Sequence, residues 1–191
     1  MIDYMELITQ KCRGYYIEKN KISPMKMAIQ IMSAEGFPMH SPHHHYLTAA
    51  VLLTSACIAE EKDEDTYTAY METAKKRALK VPGAYCGEYG ACGAAIGCGI
   101  FSCVWNGTTP HSTDTLGTAN LITSMALKEI AKYPGCRCCK RVTFLSLIST
   151  CRYMNEKMDM DIKEDKIICG FFKMNDDGCR KEQCEFYPAK P

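Results

Sequence analysis

Apolar positions recur along this chain at helical intervals, and nowhere do they alternate for long enough to predict a strand. Residues 2–20 carry Ile2, Met5, Leu7, Ile8, Tyr15 and Tyr16, a loose helical pattern. Ser23-Pro24 marks the next helix start, with Ser as N-cap and Pro at the first helical position, where its missing N–H costs nothing. Met25, Met27, Ala28, Ile29, Ile31 and Met32 continue that helix until Gly36. FPMHSPHHHY follows as a Pro-punctuated turn holding four of the five histidines. Residues 46–60 are apolar on nearly every face and predict a buried helix. After the acidic link EEKDED, residues 66–80 form an amphipathic helix. Its closing Lys75, Lys76, Arg77 and Lys80 suit the negative end of a helix dipole. Pro82-Gly83 stops it.

The stretch from Val81 to Thr109 is different in kind. It contains Cys86, Cys92, Cys98 and Cys103 with seven glycines, and no residue from Tyr89 to Pro110 carries a formal charge. Each interior glycine costs a helix roughly 1 kcal/mol relative to alanine. Either another backbone packs close against it, or it wraps a ligand. The pattern predicts a small-residue helix over about 91–105, entered through a Gly-rich turn, with Cys92, Gly99 and Cys103 along one face. Ser112, Thr113 and Asp114 then offer N-caps for a helix over 115–133. Pro134-Gly135 breaks it ahead of CRCCKR, residues 136–141. Residues 142–154 form another apolar helix, 155–166 a polar connector, and the tail begins at Ile167. The fold class is mainly α, roughly seven helices at ordinary helix lengths. A helical Cys/His-rich domain spans 1–160, and a small Cys-rich tail, 161–191, packs on it.

Charge changes this picture little. There are 23 basic and 22 acidic residues, so no overall field favours nucleic acid or an anionic membrane. The uncharged central stretch is long enough to consider as a membrane span, but its apolar part fades after Trp105, and a buried helix fits better. The N-terminus lacks the pattern of a secretion signal. The outlier is sulfur: 13 cysteines and 12 methionines. In a cytoplasmic protein such thiol density points to metal binding or thiol chemistry, not to disulfides, and the odd count agrees.

Four constellations carry the candidate chemistry. Cys86 and Cys92 sit among Gly87, Gly90 and Gly93, where backbone N–H groups are free to face a ligand and to favour thiolate. Cys98 and Cys103 read as small buried hydrophobes. CRCCKR sets Cys136, Cys138 and Cys139 before Lys140 and Arg141, an arrangement suited to a soft metal or a cation-activated thiolate. His40, His43, His44 and His45 supply imidazoles, which serve as metal ligands or acid–base groups, although a solvated loop reads the same. The tail spaces Cys169, Cys179 and Cys184 as C-x9-C-x4-C, a metal pattern short of one ligand, with Cys12 or Cys151 as candidates for the fourth. No P-loop, dinucleotide fingerprint or HExxH is present.

Three blocks, FPMHSPHHH, VPGAYCGEYGACGAAIGCGIF and RCCKR, together resemble the DUF5714 family, whose function is unknown. The resemblance runs from about residue 37 to the C-terminus. It takes in His40, Pro42, His44 and His45, then Cys86, Gly87, Gly90, Ala91, Cys92 and Gly93. Cys138, Cys139, Lys140, Arg141, Cys169, Asn175, Cys179 and Cys184 complete it. His43, Cys98, Cys103 and Cys136 stand as departures. Such domains occur largely in anaerobic bacteria and archaea, some joined to a methyltransferase domain, which implies a methyltransferase as partner; the thiol-rich chemistry of the residues points to a redox protein instead. The family name implies no reaction.

From the residues, the expected function is metal-dependent redox or sulfur-transfer chemistry on a small molecule, with an iron–sulfur cluster, or zinc instead. Cys86, Cys92, Cys138, Cys139, His40, His44, His45, Cys169, Cys179 and Cys184 are the expected ligands. Cys86, Cys92, Lys140, Arg141 and His44 are the expected catalytic groups, and Gly87, Gly90 and Gly93 the backbone cradle. A soft-metal carrier gripping through vicinal Cys138 and Cys139, or a zinc-stapled docking protein without catalysis, fits the same residues.

Overall fold

The computed structural model describes residues 2–175 and 178–188, and among them every regular element is helical. The elements are α1 (Tyr4–Ile17), α2 (Pro24–Met32), α3 (His43–Ala59), α4 (Glu64–Ala78), the single turn α5 (Tyr85–Glu88), α6 (Gly93–Trp105), α7 (Thr115–Ala131) and α8 (Cys139–Lys157). Two short 3-10 turns, Phe172–Met174 and Lys181–Gln183, punctuate the tail. No helix among the described residues is long and apolar enough to cross a membrane.

Capping explains several starts. Ser23 accepts the Lys26 N–H at 3.1 Å ahead of Pro24, as the sequence predicts. Asp3 and Asp63 cap α1 and α4, so α4 begins at Glu64 instead of 66. Two other boundaries differ more usefully. The histidine run is no turn: His43, His44 and His45 form the first turn of α3. The last long helix begins at Cys139 and not at 142, which puts Lys140 and Arg141 in its first turn. Periodicity missed both because polar residues at a buried helix start carry no apolar stripe.

Helix α3 lies at the centre, in contact with α1, α2, α4, α6 and α8. Tyr46, Leu47, Val51, Leu52, Leu53, Ala56 and Cys57 on it are all sealed from solvent, as an all-round apolar helix requires. Helix α6 packs on α3, with α7 and α8 on its other sides. Cys98 is buried there, its thiol on the Ser146 carbonyl of α8 at 3.5 Å, and burial pushes it up to about 12. The tail adds Ile162, Ile167, Phe171 and Phe186 to the same core, Phe186 meeting Phe144 of α8 edge-on at 5.3 Å.

The glycine cost of α6 is offset by close approach. A Cβ at Gly97 would lie 2.4 Å from the His45 carbonyl oxygen and 3.0 Å from Thr48 Cβ, both on α3. One at Gly93 would lie 2.1 Å from His45 Nε2. Backbone cannot give way as a flexible side chain can. Gly97→Ala is therefore expected to destabilise the protein by about 1–3 kcal/mol, the usual cost of overpacking. Gly14, in the last turn of α1 with nothing within 4 Å of its would-be Cβ, is the control. Gly14→Ala should stabilise by about 0.5–1 kcal/mol. Urea denaturation of the two variants gives both signs.

Candidate functional site

The first turns of α3, α6 and α8 and the one-turn helix α5 meet around a cavity of about 440 Å³. Its lining includes His40, Ser41, His44, His45, Cys86, Gly87, Cys92, Gly93, Cys138, Cys139 and Arg141. Of the residues singled out in the sequence, this space gathers His40, His44 and His45, the glycine-set cysteines and the vicinal pair, while the His43 ring packs against Tyr4 and Phe37. Among the described residues, no Asp or Glu lines it.

The two histidines are aimed from behind. His44 is 1 % exposed. Its Nδ1 lies 3.0 Å from the Ser41 carbonyl, which can only accept, so Nδ1 carries the proton and Nε2 a lone pair. That Nε2 is buried and has no hydrogen-bond partner among the described residues. His45 does the same through Nδ1 and the Val81 carbonyl at 3.3 Å, leaving its Nε2 toward Gly93. This is the arrangement of ligating histidines, whose second nitrogen is held by backbone. Neither Ser41 nor Val81 was singled out in the sequence, since each acts only through its carbonyl. His40 differs: its Nε2 lies 3.1 Å from Asn175 Oδ1 and ties the cavity to the tail.

The thiols stand at helix starts. Cys92 is the N-cap of α6, where the amides of Ala94 and Ala95 pull its titration down. Cys138 is the N-cap of α8, facing the amides of Arg141 and Lys140. Neither makes a full capping hydrogen bond. The Ser41 amide does the same for Cys139. These amides do not prevail, which corrects the expectation of depressed thiols. Burial is the larger effect, raising Cys92 and Cys138 above the usual range and Cys139 to about 11. Cys86 is exposed, on a turn entered through Ala84 in the left-handed region at φ 64° and left through Gly90 at φ 68°.

Other expectations shift. Gly90 is outside the cavity lining, whereas Cys136, set aside in the sequence, is within it. Cys92 precedes α6, so it shares no helical stripe with Gly99 and Cys103. Lys140 faces away. Its ammonium, 0 % exposed, donates to the Pro38 carbonyl at 3.0 Å and lies over the rings of Phe37 and Phe171. Burial lowers it to about 8, against the pull of the Cys139, Cys138 and Cys169 thiols. Arg141 is buried and donates to the Cys136 carbonyl at 3.1 Å, which shapes the wall.

Cys169, Cys179 and Cys184 lie outside the cavity and line a neighbouring void together with Cys138. Cys12 and Cys151, the fourth-ligand candidates, are sealed in the core elsewhere, Cys151 against Met25. Among the described residues, no three His, Cys, Asp or Glu side chains stand as a ready ligand group for one metal ion.

A match to the family described as "Family of unknown function (DUF5714)" spans residues 12–187. The chain belongs to DUF5714. No curated protein and no solved structure matches it. Every motif that carried the resemblance lies within the matched range of this DUF5714 chain. Its cavity-lining residues do too.

His44 gives a pH test. Burial, then the Lys140 charge, lowers it from the ordinary 6.5 to about 3. Between those values the unfolded chain binds a proton that the folded one refuses, so stability is full above pH 6.5 and falls as pH drops toward 3. Unfolding measured in chelator from pH 7 to pH 4 should show this loss, and His44→Gln should reduce it, leaving the shares of His43 and His45, which burial also lowers.

Proposed function

We propose that the cavity is a metal-dependent centre that holds an iron–sulfur cluster and performs redox or sulfur-transfer chemistry on a small molecule. The donor set carries this reading. His44, whose buried Nε2 has no partner, His45, Cys86, Cys92 and Cys139 line one space whose described lining lacks carboxylates. Soft thiolates with imidazole suit iron–sulfur centres or zinc, whereas magnesium and calcium want oxygen. Burial makes Cys92 and Cys139 poor free nucleophiles near neutral pH, while a coordinating thiol loses its proton outright.

A cluster fits better than a lone ion. A cavity of about 440 Å³ is far roomier than one ion needs, and a polynuclear cluster holds its thiolates around a larger body. In this reading Cys86, Cys92 and Cys139 hold the cluster. His44 and His45 serve as further ligands or as acid–base groups. The backbone of Gly87 and Gly93 lies against the substrate. Arg137 on the same wall favours a substrate that carries negative charge. A cytoplasmic redox protein supplies the electrons for the redox reaction; a methyltransferase is the other expected partner.

Protein purified without oxygen is expected to contain iron and acid-labile sulfide and to show a visible cluster absorption. Cys86→Ser and Cys139→Ser should each lose most of that iron, and Cys103→Ser, off the cavity, should keep it. Iron-free and sulfide-free protein from an iron-replete, oxygen-free preparation overturns the reading, as does full iron content in both cavity variants.

A further inference from the structure

The void beside the cavity is about 20 Å³, bordered by Cys138 from the start of α8 and by Cys169, Cys179 and Cys184 from the tail. That is room for about one small sphere, not for a cluster. We propose that these four thiols form a tetrathiolate site for a single zinc-class ion, which clasps the C-terminal tail onto the first turn of α8. The site is separate from the cavity centre and supplies the fourth ligand that the tail spacing lacks.

Three observations converge on it. Backbone amides already point at the sulfurs: Phe171 N–H to Cys169 Sγ at 3.4 Å and Lys181 N–H to Cys179 Sγ at 3.4 Å. In both, the donor is two residues after the cysteine, an arrangement that stabilises negative sulfur. Cys138 faces the first amides of α8.

Next, the tail backbone is folded to bring the three cysteines together. Cys169 N–H bonds the Phe186 carbonyl at 2.7 Å, and Cys179 N–H the Asn175 carbonyl at 2.7 Å. Cys184 N–H bonds the Lys181 carbonyl at 2.8 Å.

The third observation is charge. Lys140 and Arg141 are buried in the first turn of α8, the positive end of the helix dipole, where cations are disfavoured. Neither has an acidic ion-pair partner among the described residues. Four thiolates around a divalent ion carry two net negative charges, which these two cations balance. The thiols do not yet close on one point, so the ion draws them inward from the rim of the void, by side-chain rotation.

Tetrahedral sulfur ligation is the ordinary form of structural zinc. The test is elemental analysis of oxygen-free protein grown with zinc and iron. Wild-type chain should hold one zinc per chain. Cys179→Ser and Cys184→Ser should lose it and keep the cavity iron, and Cys86→Ser should do the reverse, so the two centres fail separately. Cobalt-grown protein should show the visible spectrum of tetrahedral thiolate cobalt, absent in Cys184→Ser. A readout independent of variant folding is iodoacetamide labelling of the native zinc-loaded chain. Cys138, Cys169, Cys179 and Cys184 should be protected together and become reactive together once a strong chelator removes the zinc. Zinc retained at one equivalent by both tail variants overturns the proposal, as does free labelling of these thiols in zinc-loaded protein.

Discussion

The close approach of α6 to the first turn of α3 is the contact on which the rest depends. Gly97 lets the α6 backbone sit against the His45 carbonyl, and Gly93 leaves space for the His45 ring. A side chain at either position would push the two helix starts apart. With them would go the placement of Cys92 relative to the two imidazoles. The glycines of this stretch therefore do not loosen the helix. They set how near two rigid bodies come, and the cavity is what remains between them.

Much of the architecture is legible in the chain. The Ser-Pro start of α2, the all-round apolar α3 and the Pro-Gly stop after α4 announce themselves, because local chemistry decides them. So does the abundance of soft ligands. What stays hidden is anything decided by partners distant in sequence. Ser41 and Val81 have no motif, yet their carbonyls choose which nitrogen of His44 and His45 is free. Glycine beside cysteine suggests a depressed thiol, but burial outweighs a few amides, and burial depends on the whole packing. Lys140 looks like an anion holder in sequence; its neighbours Pro38, Phe37 and Phe171 turn it inward instead.

The vicinal cysteines illustrate the limit most simply. As text, Cys138 and Cys139 are one motif. In space they divide: Cys139 borders only the larger cavity, while Cys138 also borders the tail void. Cys138 is the extended N-cap residue, at φ −140° and ψ 95°, and Cys139 the first helical residue, so the backbone changes direction between them. Adjacent residues thereby serve two different enclosures, and the tail is coupled to the cavity through one peptide bond and through the His40–Asn175 contact.

That division has a temporal side. Lys140 meets the carbonyl of Pro38 across 102 positions of sequence, and the cavity takes its walls from the same two distant regions. Contacts of such span form late, since loop closure must be paid for before they stabilise anything. While the ribosome is still making α7, the histidines and the first thiols are already out, but they have no enclosure to belong to. Any guest of this cavity finds its full set of walls only once the start of α8 has been made.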